Sequence, residues 1–316
     1  MNIISTKDFS PATLGYFFNK SNELRLLDNG TLEERRELVT RHVGAQAYTL
    51  FYEASTRTRG SFDLAAAKLG IGRAQTENAK EFSSAAKGET LEDTIHMFNA
   101  YHIDALIIRH HETGAAKRAA AVAADHMSII NAGDGKGEHP TQALLDTYTI
   151  HERFKRLDNL NVVIGGDLLQ GRTARSLSRL LSQYAGNLIT FVSTPEFQMA
   201  EDIKQELREA GTKFSESDDV HDAVREADVV YWTRLQRERL GVDKSPEQIK
   251  EFVIDQSVLD VMKEDSIIMH PLPRVGEITK EVDNDPRAWY FRQAGNGLYV
   301  RMALLDHIMT EKHKKQ

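Results

Sequence analysis

The chain has 316 residues, with 40 basic against 47 acidic side chains, a formal charge of -7 and a pI of about 6.0. With no contiguous basic stripe, this composition argues against a nucleic-acid partner. Cysteine is absent, which excludes disulfides, thiolate nucleophiles and cysteine-ligated zinc. At one domain per roughly 150 residues the length points to two domains, and two domains offer a cleft.

Met1 to Asp8 lacks the uninterrupted apolar core of a secretory leader, and no stretch approaches the roughly 20 apolar residues of a membrane span, so the chain reads as soluble and cytoplasmic. Ser10-Pro11 predicts a capped helix start, and Thr31-Leu32-Glu33-Glu34 predicts a capping box opening a second helix. Ala47 to Tyr52 reads as a strand, followed by a helical pattern ending at Gly70 and by apolar runs at Ile103 to Ile108 and Met127 to Ile130. A long helix starts at Pro140 and runs toward Arg156. Strands then recur at Asn161 to Ile164, Leu188 to Val192, Val229 to Trp232 and Ser266 to Met269. The alternation predicts an α/β fold of two domains, each a parallel sheet flanked by helices. From Gly295 to Lys314, helical spacing of Leu298, Met302, Leu305 and Ile308 predicts a final helix packing back on the body.

Glu53-Ala54-Ser55-Thr56-Arg57-Thr58-Arg59 follows the first strand and places hydroxyls and guanidiniums at a strand-to-helix turn. Free N–H groups and the helix dipole favour an anion there, and Arg57 can add a bidentate contact. His139-Pro140-Thr141-Gln142 opens the long helix after a flexible polar loop, Ala132 to Gly137; His139 can donate to a carbonyl oxygen and Gln142 can accept from an amide. His270-Pro271-Leu272-Pro273-Arg274 follows the last strand, and its prolines leave carbonyls available to accept. The twelve histidines show no metal-ligand spacing, and His110-His111, as strand neighbours, are expected to face opposite sides. Gly165, Gly166 and Gly171 do not form G-x-G-x-x-G, and Ser193 and Thr194 stand where a dinucleotide fold needs an acidic ribose ligand.

Together with Thr233-Arg234-Leu235-Gln236, the segments Ser55 to Arg59, His139 to Gln142 and His270 to Arg274, across nearly the whole chain, resemble the aspartate carbamoyltransferase family. The resemblance implies a domain of about residues 1–150 that binds carbamoyl phosphate, joined by a C-terminal helix of about 292–316 packing back on it, and a domain of about residues 151–291 that binds aspartate. It implies that Ser55, Thr56, Arg57, Thr58, Ser83, Arg109, His139, Gln142 and the carbonyls of Pro271 and Leu272 hold carbamoyl phosphate. Lys87, Arg172, Arg234 and Gln236 are implied to hold aspartate. Arg57, Thr58, Lys87, Arg109 and His139 are implied to be catalytic, with no cofactor or metal required. The polar segment Glu77 to Lys87 reads as a mobile loop, matching the family's segment that reaches into a neighbour's site, so a homotrimer with shared sites is expected; the resemblance also allows for separate regulatory chains. Glu53 and Arg239 are implied to link the two domains on closing. Gly60 and Ala86 depart from the family pattern without removing a functional group. The implied reaction is carbamoyl transfer to the aspartate amine, an early step of pyrimidine synthesis; the alternatives are a carbamoyltransferase with another amino-acid acceptor such as ornithine, and a non-catalytic anion-binding relative.

Overall fold

Two helix starts are set by side chains that satisfy otherwise orphaned N–H groups. Ser10 accepts from Thr13 N–H to open α1 (Pro11–Asp28), and a reciprocal Thr31–Glu34 capping box opens α2 (Leu32–Thr40). The computed structural model describes residues 1–235 and 252–314, apart from the side chains of Phe82 and Ser84; Gln236 and Arg239 lie outside the described residues. The chain divides into two units, Met1–Tyr148 with Gly295–Gln316, and Thr149–Ala294.

In the first unit the elements continue as β1 (Gln46–Phe51), α3 (Thr56–Lys68), β2 (Gly72–Glu77), the single turn α4 (Ala79–Phe82), α5 (Leu91–Ala100), β3 (Ala105–His110), α6 (Ala115–Val122), β4 (Ser128–Asp134) and α7 (Pro140–Phe154), which enters the second unit at Thr149. The strands pair in parallel in the order β2-β1-β3-β4. Leu50, Leu106, Ile108 and Ile129 pack with Ile95, Phe98, Ala115 and Ala119 of the covering helices.

The second unit contains β5 (Asn161–Gly165), α8 (Arg172–Leu181), β6 (Leu188–Val192), α9 (Glu201–Glu209), β7 (Lys213–Ser217), α10 (Val220–Val224), β8 (Val229–Trp232), α11 (Gln256–Leu259) and β9 (Ile267–Met269). Among the described residues its strands form a parallel sheet in the order β7-β6-β5-β8-β9. Val163, Val230, Trp232 and Ile268 share a core with Val220, Val224, Val258 and Tyr290.

The last helix, α12 (Tyr290–His313), belongs to the first unit from Gly295 onward. Leu304, Leu305, Ile308 and Met309 are buried there, each contributing ~1.5–3 kcal/mol relative to exposure. Between them Asp306 pairs with Arg41 Nε at 2.6 Å, His42 Nε2 at 2.9 Å and Lys20 Nζ at 3.3 Å. Burial pushes the Asp306 carboxyl up, but the His42 hydrogen bond and the two cations outweigh it and hold its pKa below the usual value.

Candidate active site

In the first sheet the chain leaves β1 for β2 on one side and later returns to β3 on the other. The loops following β1 and β3 therefore diverge, and such a switch point leaves a crevice beyond the carboxyl ends of the strands. Ser55 is the residue before α3 and makes no capping hydrogen bond with its side chain. The first helical bond runs from Arg59 N–H to the Ser55 carbonyl at 3.1 Å, so the N–H groups of Thr56, Arg57 and Thr58 precede the ladder at the positive end of the helix. Thr58 is buried, whereas Thr56 and Arg57 are exposed. Desolvation by the surrounding protein lowers the Arg57 pKa, yet a guanidinium lowered in this way stays charged at neutral pH.

The second guanidinium of the turn is engaged elsewhere. Arg59 pairs with Glu77 at 3.0 Å and Asp63 at 3.4 Å and also donates to Gln75, tying α3 to β2. Arg109, near the end of β3, lies 3.6 Å from Glu53 and donates to the Ala132 carbonyl at 3.3 Å. His110 and His111 do not face opposite sides: their rings stack at 4.3 Å with Tyr52 against His110, because β3 ends at His110 and alternation ends with it. Burial, then the adjacent His111, push the His110 pKa down to about 4.

The expected flexible loop before His139 is shorter than its composition suggests, since Ala132 to Asp134 are buried in β4 and only Gly135 to His139 connect to α7. His139 is buried, with its Nδ1 3.4 Å from the Thr141 hydroxyl. Gln142 donates from Nε2 to Asp146 at 2.9 Å, one turn along α7, which orients its amide oxygen to accept. Asp146 was not singled out in the sequence, although the i,i+4 spacing from Gln142 is the signal that finds it. The segment Glu77 to Lys87 folds into α4 and a 3₁₀ turn, Ser84–Lys87, with Ala79 fully buried. Ser83 uses its hydroxyl within that turn, donating to the Ala79 carbonyl and accepting from Ala85 N–H at 3.2 Å. Lys87 is exposed and makes no hydrogen bond or ion pair among the described residues.

The second sheet has its own switch point, between β5 and β8. A side chain at Gly165 would put Cβ 2.1 Å from the Trp232 ring, and one at Gly166, where φ is +96°, would meet the Thr233 carbonyl at 2.0 Å. These glycines let the ends of β5 and β8 close on each other, a packing role distinct from cradling a pyrophosphate. Arg172 opens α8 and is buried, while half-buried Arg234 follows β8 and donates to the Leu235 carbonyl at 3.4 Å. A depression at the ends of these strands is lined by Gly166, Thr194, Trp232, Thr233 and Leu235 among others.

The Pro271-Leu272 segment is braced by His270. Its Nδ1 accepts from Leu272 N–H at 2.8 Å, its Nε2 faces Glu277 at 2.8 Å, and its own N–H donates to Gln293 at 2.8 Å. Accepting at Nδ1 places the proton on Nε2, so a neutral imidazole donates to the carboxylate. Burial pushes the Glu277 carboxyl up, but hydrogen bonds from His270 and from backbone N–H groups prevail and hold it at about 2. Leu272 has φ +55° and precedes a cis proline.

Two family models match in tandem: the carbamoyl-phosphate-binding domain of aspartate/ornithine carbamoyltransferases over residues 1–152, and their aspartate/ornithine-binding domain over residues 158–308. The chloroplastic aspartate carbamoyltransferase of Arabidopsis thaliana is 48% identical over 311 residues, covering 98% of this chain and 78% of the relative. The catalytic subunit of aspartate transcarbamoylase from M. jannaschii superposes with a TM-score of 0.86 at 37% identity, covering 98% of each chain. The Trypanosoma cruzi aspartate transcarbamoylase, in complex with N-(phosphonacetyl)-L-aspartic acid, gives 0.86 at 36% identity over 96% of this chain and 94% of that one. With both halves matched and identity this high along nearly its whole length, the chain belongs to the aspartate/ornithine carbamoyltransferase family.

Proposed function

We propose that the chain transfers the carbamoyl group of carbamoyl phosphate to the amino group of L-aspartate, giving N-carbamoyl-L-aspartate and phosphate, as pyrimidine synthesis requires. The observation that carries the acceptor is the pair of guanidiniums, Arg172 after β5 and Arg234 after β8, flanking one switch point. Two carboxylates call for two planar forks. The T. cruzi relative is described in complex with carbamoyl phosphate and aspartate, and with carbamoyl aspartate and phosphate.

In this reading the N-terminus of α3, with Ser55, Thr56 and Arg57, holds the phosphate. Thr58, Arg109 and His139 polarise the carbamoyl oxygen; a proton on His139 Nε2, with Nδ1 turned to Thr141, makes the imidazole a donor rather than a base. The Gln142 amide oxygen and the Pro271 and Leu272 carbonyls accept from the carbamoyl NH2. The neutral amine of aspartate attacks the carbamoyl carbon, a tetrahedral intermediate forms, and its collapse expels phosphate, which takes up the amine proton. Ser83 and Lys87 act from a neighbouring subunit of a homotrimer, a reading supported by the exposure of Lys87. Gln236 assists Arg234. A cytoplasmic location belongs to the same proposal, set against plant relatives named chloroplastic; among the described residues no helix is long and apolar enough to cross a membrane.

A colorimetric carbamoyl-transfer assay with aspartate, with ornithine and without acceptor tests the assignment. Product is expected with aspartate alone; turnover with ornithine and none with aspartate overturns it.

A further inference from the structure

We propose that the segment Ile3 to Thr6 is a latch that positions His139 through the carboxylate of Glu138. The inference rests on the carbamoyl-transfer reading, in which His139 donates to the carbamoyl oxygen.

A single parallel bridge at Ile3 joins the segment to the edge of β4. Ile3 N–H donates to the Ile129 carbonyl at 2.9 Å, Asn131 N–H donates to the Ile3 carbonyl at 2.8 Å, and the Asn131 side chain donates to the Ile4 carbonyl at 2.9 Å. Beyond this bridge the chain delivers three donors to one carboxylate. Thr6 N–H and the Thr6 hydroxyl reach Glu138 Oε2 at 2.6 and 2.8 Å, and the Ser5 hydroxyl reaches Oε1 at 2.9 Å. Thr6 is buried, while Ser5 and Glu138 are half-buried, and the hydrogen bonds to the carboxylate are charge-assisted.

The backbone of Glu138 is held as tightly as its side chain. Its N–H donates to Asp134 Oδ1 at 2.9 Å, and its carbonyl accepts from Asp134 N–H at 3.2 Å. Asp134 is fixed in turn by Gly114 N–H on Oδ2 at 2.7 Å and by the Asn131 amide on Oδ1 at 3.2 Å. Glu138 is thus pinned by Asp134 on one side and by the Ile3 to Thr6 segment on the other, directly before His139, the last residue ahead of α7. A donor that must meet a developing oxyanion within a few tenths of an ångström needs such support, since a displacement of about 1 Å can cost ~100-fold in rate. Nothing in the spacing of Ser5, Thr6 and Glu138, more than 130 residues apart, marks them as partners.

Glu138→Ala, Glu138→Gln and Thr6→Val test the latch. Glu138→Ala is expected to lower kcat by about 10- to 100-fold while the affinity for inorganic phosphate, measured by calorimetry, stays within about twofold, because the phosphate site lies on the β1 loop. Glu138→Gln should recover most of kcat: its oxygen can take Thr6 N–H and its amide can donate to the Ser5 hydroxyl. Thr6→Val should give a smaller fall, and adding it to Glu138→Ala should cost little more, as one shared contact requires. A folded Glu138→Ala with wild-type kcat, an equal loss of phosphate affinity, or fully additive effects each overturn the proposal. If Glu138→Ala does not fold, an unchanged kcat in Thr6→Val overturns it. Histidine-ring nitrogen signals separate this from failure of the underlying reading: in a wild type inert with aspartate, the latch still requires the His139 signals to move in Glu138→Ala and not in Glu138→Gln.

Discussion

The two switch points share a topology and differ in how their arginines are spent. Beyond β1 and β3, Arg59 and Arg109 both lie against carboxylates of their own unit, Glu77 and Asp63 for one and Glu53 for the other. Arg57 alone in that turn is exposed without an ion pair among the described residues. Beyond β5 and β8, Arg172 and Arg234 stand in two separate segments that follow neighbouring strands of one sheet rather than in a contiguous motif. In the first region two of three guanidiniums already face carboxylates; in the second the arginines come from segments that only the strand order makes neighbours. Counting arginines in the Ser55 to Arg59 motif therefore overstates the unpaired charge it carries, since Arg59 is spent on Glu77 and Asp63.

The sharpest way to break this comparison is to mix chains. Arg57→Ala and Lys87→Ala are each expected to be nearly inactive, yet in a ring of three every mixed assembly contains one junction with both residues intact. Co-assembly of equal amounts should restore about a quarter of wild-type activity, read by steady-state turnover; verified mixed rings without recovery would return Lys87 to its own chain. Arg234→Ala should raise the aspartate requirement by roughly 30-fold or more, since a desolvated charge-assisted pair is worth ~2–5 kcal/mol, with phosphate binding unaltered in calorimetry. Unchanged aspartate affinity removes Arg234 from the acceptor site.

Two smaller effects probe the scaffold under the second region. Glu277 has its folded pKa lowered from 4.5 to about 2, so its contribution to stability is present above about pH 4.5 and is lost as pH falls toward 2. Glu277→Gln should flatten the fall in melting temperature across that acid range; an unchanged slope means the His270 brace contributes nothing. Gly165→Ala should cost ~1–3 kcal/mol by forcing the Trp232 ring to move, seen as a lower denaturation midpoint, and a neutral result would mean the two strand ends are loosely packed.

Much of this frame was legible in the sequence because the central strands are apolar runs and the helix starts carry caps: Thr31 with Glu34 forms the capping box its spacing predicts. The strands that escaped notice, β2 and β7, are both at sheet edges with largely solvent-facing residues, so Gly72–Glu77 and Lys213–Ser217 carry no apolar period. Ala132 to Asp134 looked like loop because glycine and aspartate are weak strand formers, yet β4 buries them. The side chains of the first region could be named from one motif, but the engagement of Arg59, the stacking of His110 on His111 and the Glu138 latch depend on residues distant in sequence or on where a strand stops.

The return of α12 to the first unit carries a consequence for biosynthesis. A nascent chain that has emerged through α7 already holds all four strands of the first sheet but lacks Leu304, Leu305, Ile308 and Met309. It also holds Asp146, fully buried in the finished fold, before Arg301, a buried cation whose charge Asp146 favours. The second unit, contiguous from Thr149 to Ala294, needs no later segment, while the first exposes an apolar seat until α12 has been made. The half of the protein made first is finished last, and chaperone contact during synthesis is expected to concentrate there.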